Sequence, residues 1–352
     1  LEFAAANLPL TTTKPGRVVR AAADHLLAEI DICLKDWDGA IAAASRVIDG
    51  TDGAYSLVKT RFGARASEAN KDYYWDLFVM GNQNTQTGNN EGIWVAQFEP
   101  VIDGGTVNFK RPLIERMMWC SYWSQAKFGY GSLANDSTGR GVAFIRGTNY
   151  VNYDIWNNSG TDIRNNEINI KRNYYFGPTS PAAPYHAGDL IPRSFLTLRE
   201  DTMSYIYPNW QKFGTDKHIN AQPDNGYIRD FYVMRLPETY LLRAEAYLGK
   251  GQTGPAADDI NVVRDRAKAT LISAGDVTLD YILDERAREL FGEEFRMLTL
   301  GRLGLIYDRT KKYGLPAAQA SIQPYNNLLP IPQTVIDLNS QVPMDQNPGY
   351  TK

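Results

Sequence analysis

The densest group of ionisable side chains in the sequence is Glu285, Arg286, Arg288, Glu289, Glu293 and Arg296. Carboxylates this close invite a glycosidase reading, which needs two acids flanking a scissile bond. Spacings of three and four instead put Glu289 beside Glu293, and Glu293 beside Arg296, on one face of a helix. Nothing places a second carboxylate opposite them. The set therefore reads as an ion-pair network that fixes this helix against its neighbours, and the protein is not expected to be an enzyme. Ser124 and Lys127 have the spacing of a serine–lysine nucleophile pair, but no companion motif follows. His25, His186 and His218 are scattered without metal-ligand spacing. Gly129 and Gly131 lack the strand–turn–helix context of a phosphate loop, and the Asp and Asn residues of 152–169 lack the EF-hand pattern. No cofactor and no metal is predicted.

Aromatic side chains carry the other available chemistry. The chain has 21 Tyr, 13 Phe and 7 Trp, many of them in Asn- and Gly-rich stretches instead of periodic ones. Residues 117–131 hold Trp119, Tyr122, Trp123, Phe128 and Tyr130. A flat ring covers the apolar C–H face of a sugar at little entropic cost, while nearby Asn, Asp and Arg hydrogen-bond its hydroxyls. Trp119 and Trp123, four apart, share a face if the segment is helical, and Asn135 and Asp136 are polar candidates by proximity. The structural alternative is a small satellite core under a long loop. Trp94 reads as a core residue of a strand, and Trp37 and Trp75 as packing residues.

The elements that must position these groups begin with a repeat. Ala28, Ala40, Ala44 and Val47 recur as Ala244, Ala256, Ile260 and Val263, each 216 positions later, and Leu26/Leu242 and Ile32/Leu248 keep that offset. Small residues at these points let helices lie closely together, and the short polar turn between them forces each pair antiparallel. This is the helix–turn–helix unit of a tetratricopeptide-type repeat. The pairs are predicted at 17–34 with 38–49 and at 235–268, followed by a third strong helix at 279–300. Residues 72–78 read as a short aromatic element, 81–92 as a polar loop and IWVAQFEP as a strand. From 100 to 230 Gly, Asn, Pro and Tyr dominate around strand-like pieces, GVAFI, NEINIKRNYYF and FLTL. A structureless loop of that length is improbable, so this stretch is expected to be an irregular subdomain carrying short strands. The predicted organisation is a helical hairpin over 1–60, an irregular ligand-facing region over 61–230 and a C-terminal helical repeat region with an extended tail over 231–352.

Bulk properties agree with a globular chain. Its 352 residues are 43% hydrophobic and 22% charged. A net charge of −3 and a pI near 5.8 argue against nucleic-acid binding. Cys33 and Cys120 make no disulfide framework, and Cys33 reads as a small buried hydrophobe. No apolar run is long enough to span a membrane. An early hairpin with no partner before it suggests a missing N-terminal portion, because repeat units need neighbours to cover their apolar faces.

The order and spacing of YVMRLPETYLLRAEAYL (232–248), DINVVRDRA (259–267), DERARELFGEEFRMLTLGRLG (284–304), LLPIP (328–332) and QNPGY (346–350) resemble the SusD/RagB family of surface nutrient-binding lipoproteins of Bacteroidetes. RGTNYVNYDIW and TDIRNNEINIKRNYYF, and the first hairpin followed by EGIWVAQFE, resemble it less tightly. The sequence departs at Thr299, where the family commonly has Asp, and at Asp31, where the repeat usually has an aromatic. The resemblance implies a mainly α, tetratricopeptide-like scaffold with an irregular ligand-facing region. It implies capture of oligosaccharide without cleavage, and delivery to a SusC-like TonB-dependent transporter at the extracellular face of the outer membrane. The lipid anchor that this implies lies outside this sequence. Family ligand contacts come partly from loops after the strand matched by EGIWVAQF, and Trp156, in the NYDIW stretch, joins the candidates as a structural residue with possible ligand contact. The candidate binding residues are Trp119, Tyr122, Trp123, Tyr130 and Trp156. Peptide binding on the same scaffold, or a helical-repeat interaction module without a small ligand, are the alternatives.

Overall fold

The computed structural model describes residues 1–98, 117–130, 141–179, 181–214 and 229–351. These fall into two units, Leu1–Arg146 with Ile155–Leu290, and Gly147–Asp154 with Phe291–Lys352. The first unit is organised on the predicted repeat. Helices α1 (Arg20–Leu34) and α2 (Trp37–Ile48) form one hairpin, α3 (Leu236–Gly249) and α4 (Thr253–Arg266) the other, and α5 (Leu279–Leu290) packs on α3. Lys35 closes α1 in the left-handed conformation, and the Asp36 carboxylate caps α2 by accepting from the Gly39 amide at 3.0 Å. Ala28, Ala40, Ala44 and Val47 and their partners Ala244, Ala256, Ile260 and Val263 are all 0% exposed. The shared offset thus marks the buried seam of both hairpins. Because α2 also packs on α3, the two hairpins form one continuous row of helices despite the long insertion between them. The chain is a mainly α, tetratricopeptide-like scaffold with few short strands.

Four short strands among the described residues complete the first unit. β1 (Gly92–Ala96) pairs antiparallel with β4 (Phe231–Arg235), and β2 (Ile170–Lys171) with β3 (Asn209–Trp210). The strand expected at IWVAQFEP is present, and its partner lies in the YVMR segment that leads into α3. Of the three strand-like pieces, only NEINIKRNYYF carries a strand. FLTL begins in a 3-10 turn, Arg193–Phe195, and the 141–145 segment instead lends single amides, with Ala143 and Ile145 donating to the Trp119 and Met117 carbonyls. The polar loop at 81–92 is solvated only in part. Asn82, Gln83, Asn89 and Glu91 are buried, and the Gln83 amide donates to the Leu77 and Val79 carbonyls at 3.0 and 2.6 Å. Burial of an amide is tolerated only where such bonds replace water.

Two expectations need correction. The helix predicted at 279–300 stops at Leu290, where Gly292 takes a φ of +75°, and a separate helix, Arg296–Arg302, follows. Cys33 is exposed on the outer face of α1, since its neighbour Ile32 takes the inward position of that turn. In the second unit, short helices at Arg296–Arg302, Ile306–Tyr313, Pro316–Ser321 and Gln333–Leu338 carry few buried side chains. Tyr150 stacks on Tyr313 with ring centres 3.7 Å apart, and the tail is tied by Asn326 donating to the Tyr350 hydroxyl at 2.9 Å. No helix among the described residues is long and apolar enough to cross a membrane.

Candidate functional site

The aromatic stretch is built from tight turns. Tyr122–Ser124 and Ala126–Phe128 are 3-10 turns, so Trp119 and Trp123 do not share a helical face. Trp119 is fully buried, and its indole N–H donates to the Trp210 carbonyl at 3.1 Å. Trp210 in turn lies 5.8 Å from Trp156, which is also buried. Trp119 and Trp156 are thus brought to a common neighbour that the sequence did not single out. Tyr122 is buried between Tyr130 and Tyr174, edge-on to each at 5.1 and 5.2 Å. These three candidates are interior supports.

Trp123 and Tyr130 reach the surface of this aromatic stretch, its rim. Both are partly exposed, and each has its polar atom anchored: the Trp123 indole donates to the Gly141 carbonyl at 2.7 Å, and the Tyr130 hydroxyl to the Tyr175 carbonyl at 3.1 Å. Tyr175, the residue whose carbonyl accepts from Tyr130, is itself 49% exposed and is a third exposed ring. Its signal in the sequence is RNYYF, where Tyr174 and Tyr175 alternate inward and outward as in any extended segment. The loop carrying Tyr130 and the loop carrying Tyr175 meet at a glycine pair. A Cβ on Gly129 would sit 2.6 Å from the Gly177 carbonyl, and one on Gly177 would sit 2.5 Å from the Gly129 carbonyl. Backbone bonds cross at this point, from Gly177 N–H to Phe128 and from Thr179 N–H to Gly129. Gly129 also takes a φ of +80°, which favours glycine.

Below the rim the groups are neutral and packed. Burial pushes the Cys120 thiol up to about 11, and raises the Tyr174 and Tyr207 hydroxyls, with Cys120 a further cause for both. The Tyr174 hydroxyl donates to the Tyr207 carbonyl at 2.8 Å, and Asn209 fixes the Cys120 amide at 3.1 Å. Lys127, the cation of the serine–lysine spacing, is ion-paired with Asp201, and Ser124 donates to the Ser121 carbonyl at 2.7 Å. Neither side chain is poised to activate the other. Asn135, Asp136 and His218 lie outside the described residues. His25 is a packed side chain, its Nδ1 2.8 Å from the Thr239 hydroxyl, while His186 is exposed. Asp162, from the 152–169 stretch, is committed to Arg164 at 2.7 Å.

Glu285, Arg286, Arg288 and Glu289 of α5 are buried and form a second centre. Glu289 is met by Arg235 at 2.7 Å, by Arg164 at 3.0 Å and by Arg266, while Glu285 is met by Arg264 and Arg288 at 2.7 Å and by Arg164 at 2.8 Å. Glu91 closes the lattice, bonding Arg266 at 2.7 Å and Arg235 at 2.8 Å. A network that fixes the helix is present, but apart from Arg288, three residues from Glu285 on the same helix, its partners come from other segments. Glu293 and Arg296 fall past the end of α5. Burial alone would raise Glu285, yet Arg164, Arg288 and Arg264 outweigh it and hold this carboxyl at about 2. Glu289 is likewise held low by Arg266, Arg235 and Arg164 against its burial. A glycosidase acid must keep its proton near neutrality, and these carboxylates do the opposite.

Comparison with known proteins agrees with this architecture. A sequence model of the SusD family matches residues 148–350. The chain is similar in structure to surface glycan-binding protein A from Bacteroides thetaiotaomicron, at 20% identity and a TM-score of 0.61 over 97% of this chain and 66% of that one. The same protein in complex with laminarihexaose matches at 20% identity and a TM-score of 0.61, over 97% and 67%. A SusD homolog from Bacteroides thetaiotaomicron matches at 18% identity and a TM-score of 0.65, over 99% and 68%. The chain therefore spans about two thirds of the length of these solved relatives. No curated protein matches the sequence. Since the family match takes in more than half of the chain and contains α3 to α5, the protein belongs to the SusD family.

Proposed function

We propose that the protein captures an oligosaccharide at the extracellular face of the outer membrane and holds it without cleaving it. In this reading it passes the ligand to a SusC-like TonB-dependent transporter. The observation that carries the reading is the aromatic rim, where Trp123, Tyr130 and Tyr175 keep ring surface in solvent while their polar atoms or loops are anchored. Rings held this way offer an apolar face to sugar C–H groups without losing side-chain entropy on binding. Trp119, Tyr122 and Trp156 then serve as the platform under the rim. A relative of this fold has been solved with laminarihexaose, and another is described as a laminarin binding SusD-like protein, so a β-glucan is the first probe to choose.

The test is a tryptophan-fluorescence titration against laminarihexaose, other plant, host and microbial oligosaccharides, and mixed peptides. Saturable change with one glycan class is expected. Trp123→Ala should weaken it about tenfold, or about 1.4 kcal/mol, with helical circular dichroism intact. Trp119→Ala should instead cost about 3–5 kcal/mol of stability, the range for emptying a buried Trp site. A response to peptides alone would replace the glycan by a peptide ligand. Silence across the panel would sink the glycan reading.

A further inference from the structure

A cavity lined by none of the rim residues lies in the first unit. It has a volume of about 250 Å³ and opens between residues 10–19, residues 53–55, the 83–90 loop and β1. Its frame is rigid for local reasons. Gly16, at a φ of +82°, accepts the Trp94 indole N–H at 3.0 Å, and a Cβ there would lie 2.8 Å from Gln97. The buried Gln83 side chain ties the base of the loop to the carbonyls of 77 and 79. The wall therefore has a fixed aromatic member, Trp94, whose polar edge is already satisfied.

Asn84 and Thr12 of the lining are spent on Gln97, Asp230 and Lys14, but four other polar side chains are not. The guanidinium of Arg17, the amides of Gln86 and Asn90, and the hydroxyl of Tyr55 make no hydrogen bond or ion pair among the described residues, although Tyr55 is partly buried. Burial and then Asp52 push the Tyr55 hydroxyl up to about 12, so it remains a donor at neutral pH. Among the described lining residues there is no carboxylate, and Arg17 is the one charged group. An aromatic ring with neutral donors and acceptors fits a hydroxyl-rich ring, and a lone guanidinium fits a carboxylate bidentately. At 250 Å³ the space is just under the range of ordinary ligand pockets, which suits one sugar ring and not a chain.

We propose that this cavity is a separate site for a single acidic sugar residue of the uronic acid class, its carboxylate on Arg17 and its hydroxyls on Tyr55, Gln86 and Asn90. The site would let the protein hold the charged end or side branch of a glycan independently of the aromatic rim. Titration calorimetry on the whole chain with methyl galacturonide, methyl glucuronide and methyl glucoside tests it. One uronide should bind at least tenfold more tightly than the glucoside. Arg17→Gln, at an exposed position, should abolish that preference, and Gln86→Ala should weaken the uronide several-fold. Trp123→Ala should leave uronide binding unchanged even where it weakens an oligosaccharide at the rim. Equal binding of uronide and glucoside, no binding of either uronide, or a preference that survives Arg17→Gln would each overturn the proposal.

Discussion

The repeat seam and the aromatic rim are built within one compact unit by opposite means. In the seam, Ala28, Ala40, Ala244 and Ala256 bring helices together because little side chain stands between them, and the same spacing occurs twice. At the rim, closeness comes from a single Gly129–Gly177 contact and from rings drawn from 119–130, 174–176, 185, 195 and 207. The seam is repetitive, each hairpin built from neighbouring segments. The rim depends on individual long-range contacts with no periodic pattern behind them. The lesson is that the element nearest the proposed ligand is the one that periodicity describes least.

The comparison breaks most severely where the two regions share support. Glu289 on α5 joins Arg235 before α3, Arg266 at the end of α4 and Arg164 of the irregular region. Glu289→Gln should cost about 3–5 kcal/mol, because loss of one partner strands buried guanidinium groups. Urea denaturation would show it as a fall in midpoint, with scaffold and rim unfolding together. Separate transitions for the two would show that the lattice does not couple them.

A smaller effect should separate the regions. Gly177→Ala forces a Cβ to 2.5 Å from the Gly129 carbonyl, and such forced backbone shifts cost about 1–3 kcal/mol. Hydrogen exchange should accelerate at 126–130 and 174–179 while the amides of α1 to α4 keep their protection. Uniform loss of protection would mean the rim is not an independent region.

The smallest expected effect is on pH dependence. Glu285, and Glu238 with it, are both held at about 2 in the folded protein, against an ordinary value of 4.5. Their stabilisation is complete above 4.5 and is lost as pH falls toward 2. Asp52 has the opposite sign. Burial and the neighbouring Asp24 raise it, so the folded chain keeps a proton that the unfolded chain releases. Its share of stability therefore declines as pH rises above the usual carboxylate range. Urea midpoints from pH 2 to 8 should pass through a maximum, and Asp52→Asn should flatten the high-pH side alone. An unchanged high-pH side in that variant would remove Asp52 from the account.

Much of the scaffold was legible before any coordinates. The offset between Ala28 and Ala244 named the seam, and the motifs from 232 to 350 named the family. The aromatic stretch was visible too, but its orientation was not. Whether Trp119 faces solvent depends on Trp210, 91 residues away, whose carbonyl takes its indole N–H. Helical spacing was the wrong guide there because the backbone turns in 3-10 geometry at Tyr122 and Ala126. In the same way, Glu289 announced an ion-pair network, while its i+4 neighbour Glu293 was lost to the break at Gly292.

What the sequence determined by itself is therefore what short-range periodicity encodes: helices, their apolar faces, the repeat and the family. A residue's place on a helix follows from spacing alone, since backbone geometry is the same at every turn. Only the tertiary structure decided which rings reach the rim, which arginines meet Glu285 and Glu289, and that Asn82, Gln83, Asn89 and Glu91 of the polar loop are buried. Those outcomes rest on contacts between segments tens to hundreds of residues apart, and desolvation rewards or penalises a side chain only once its distant neighbours are in place.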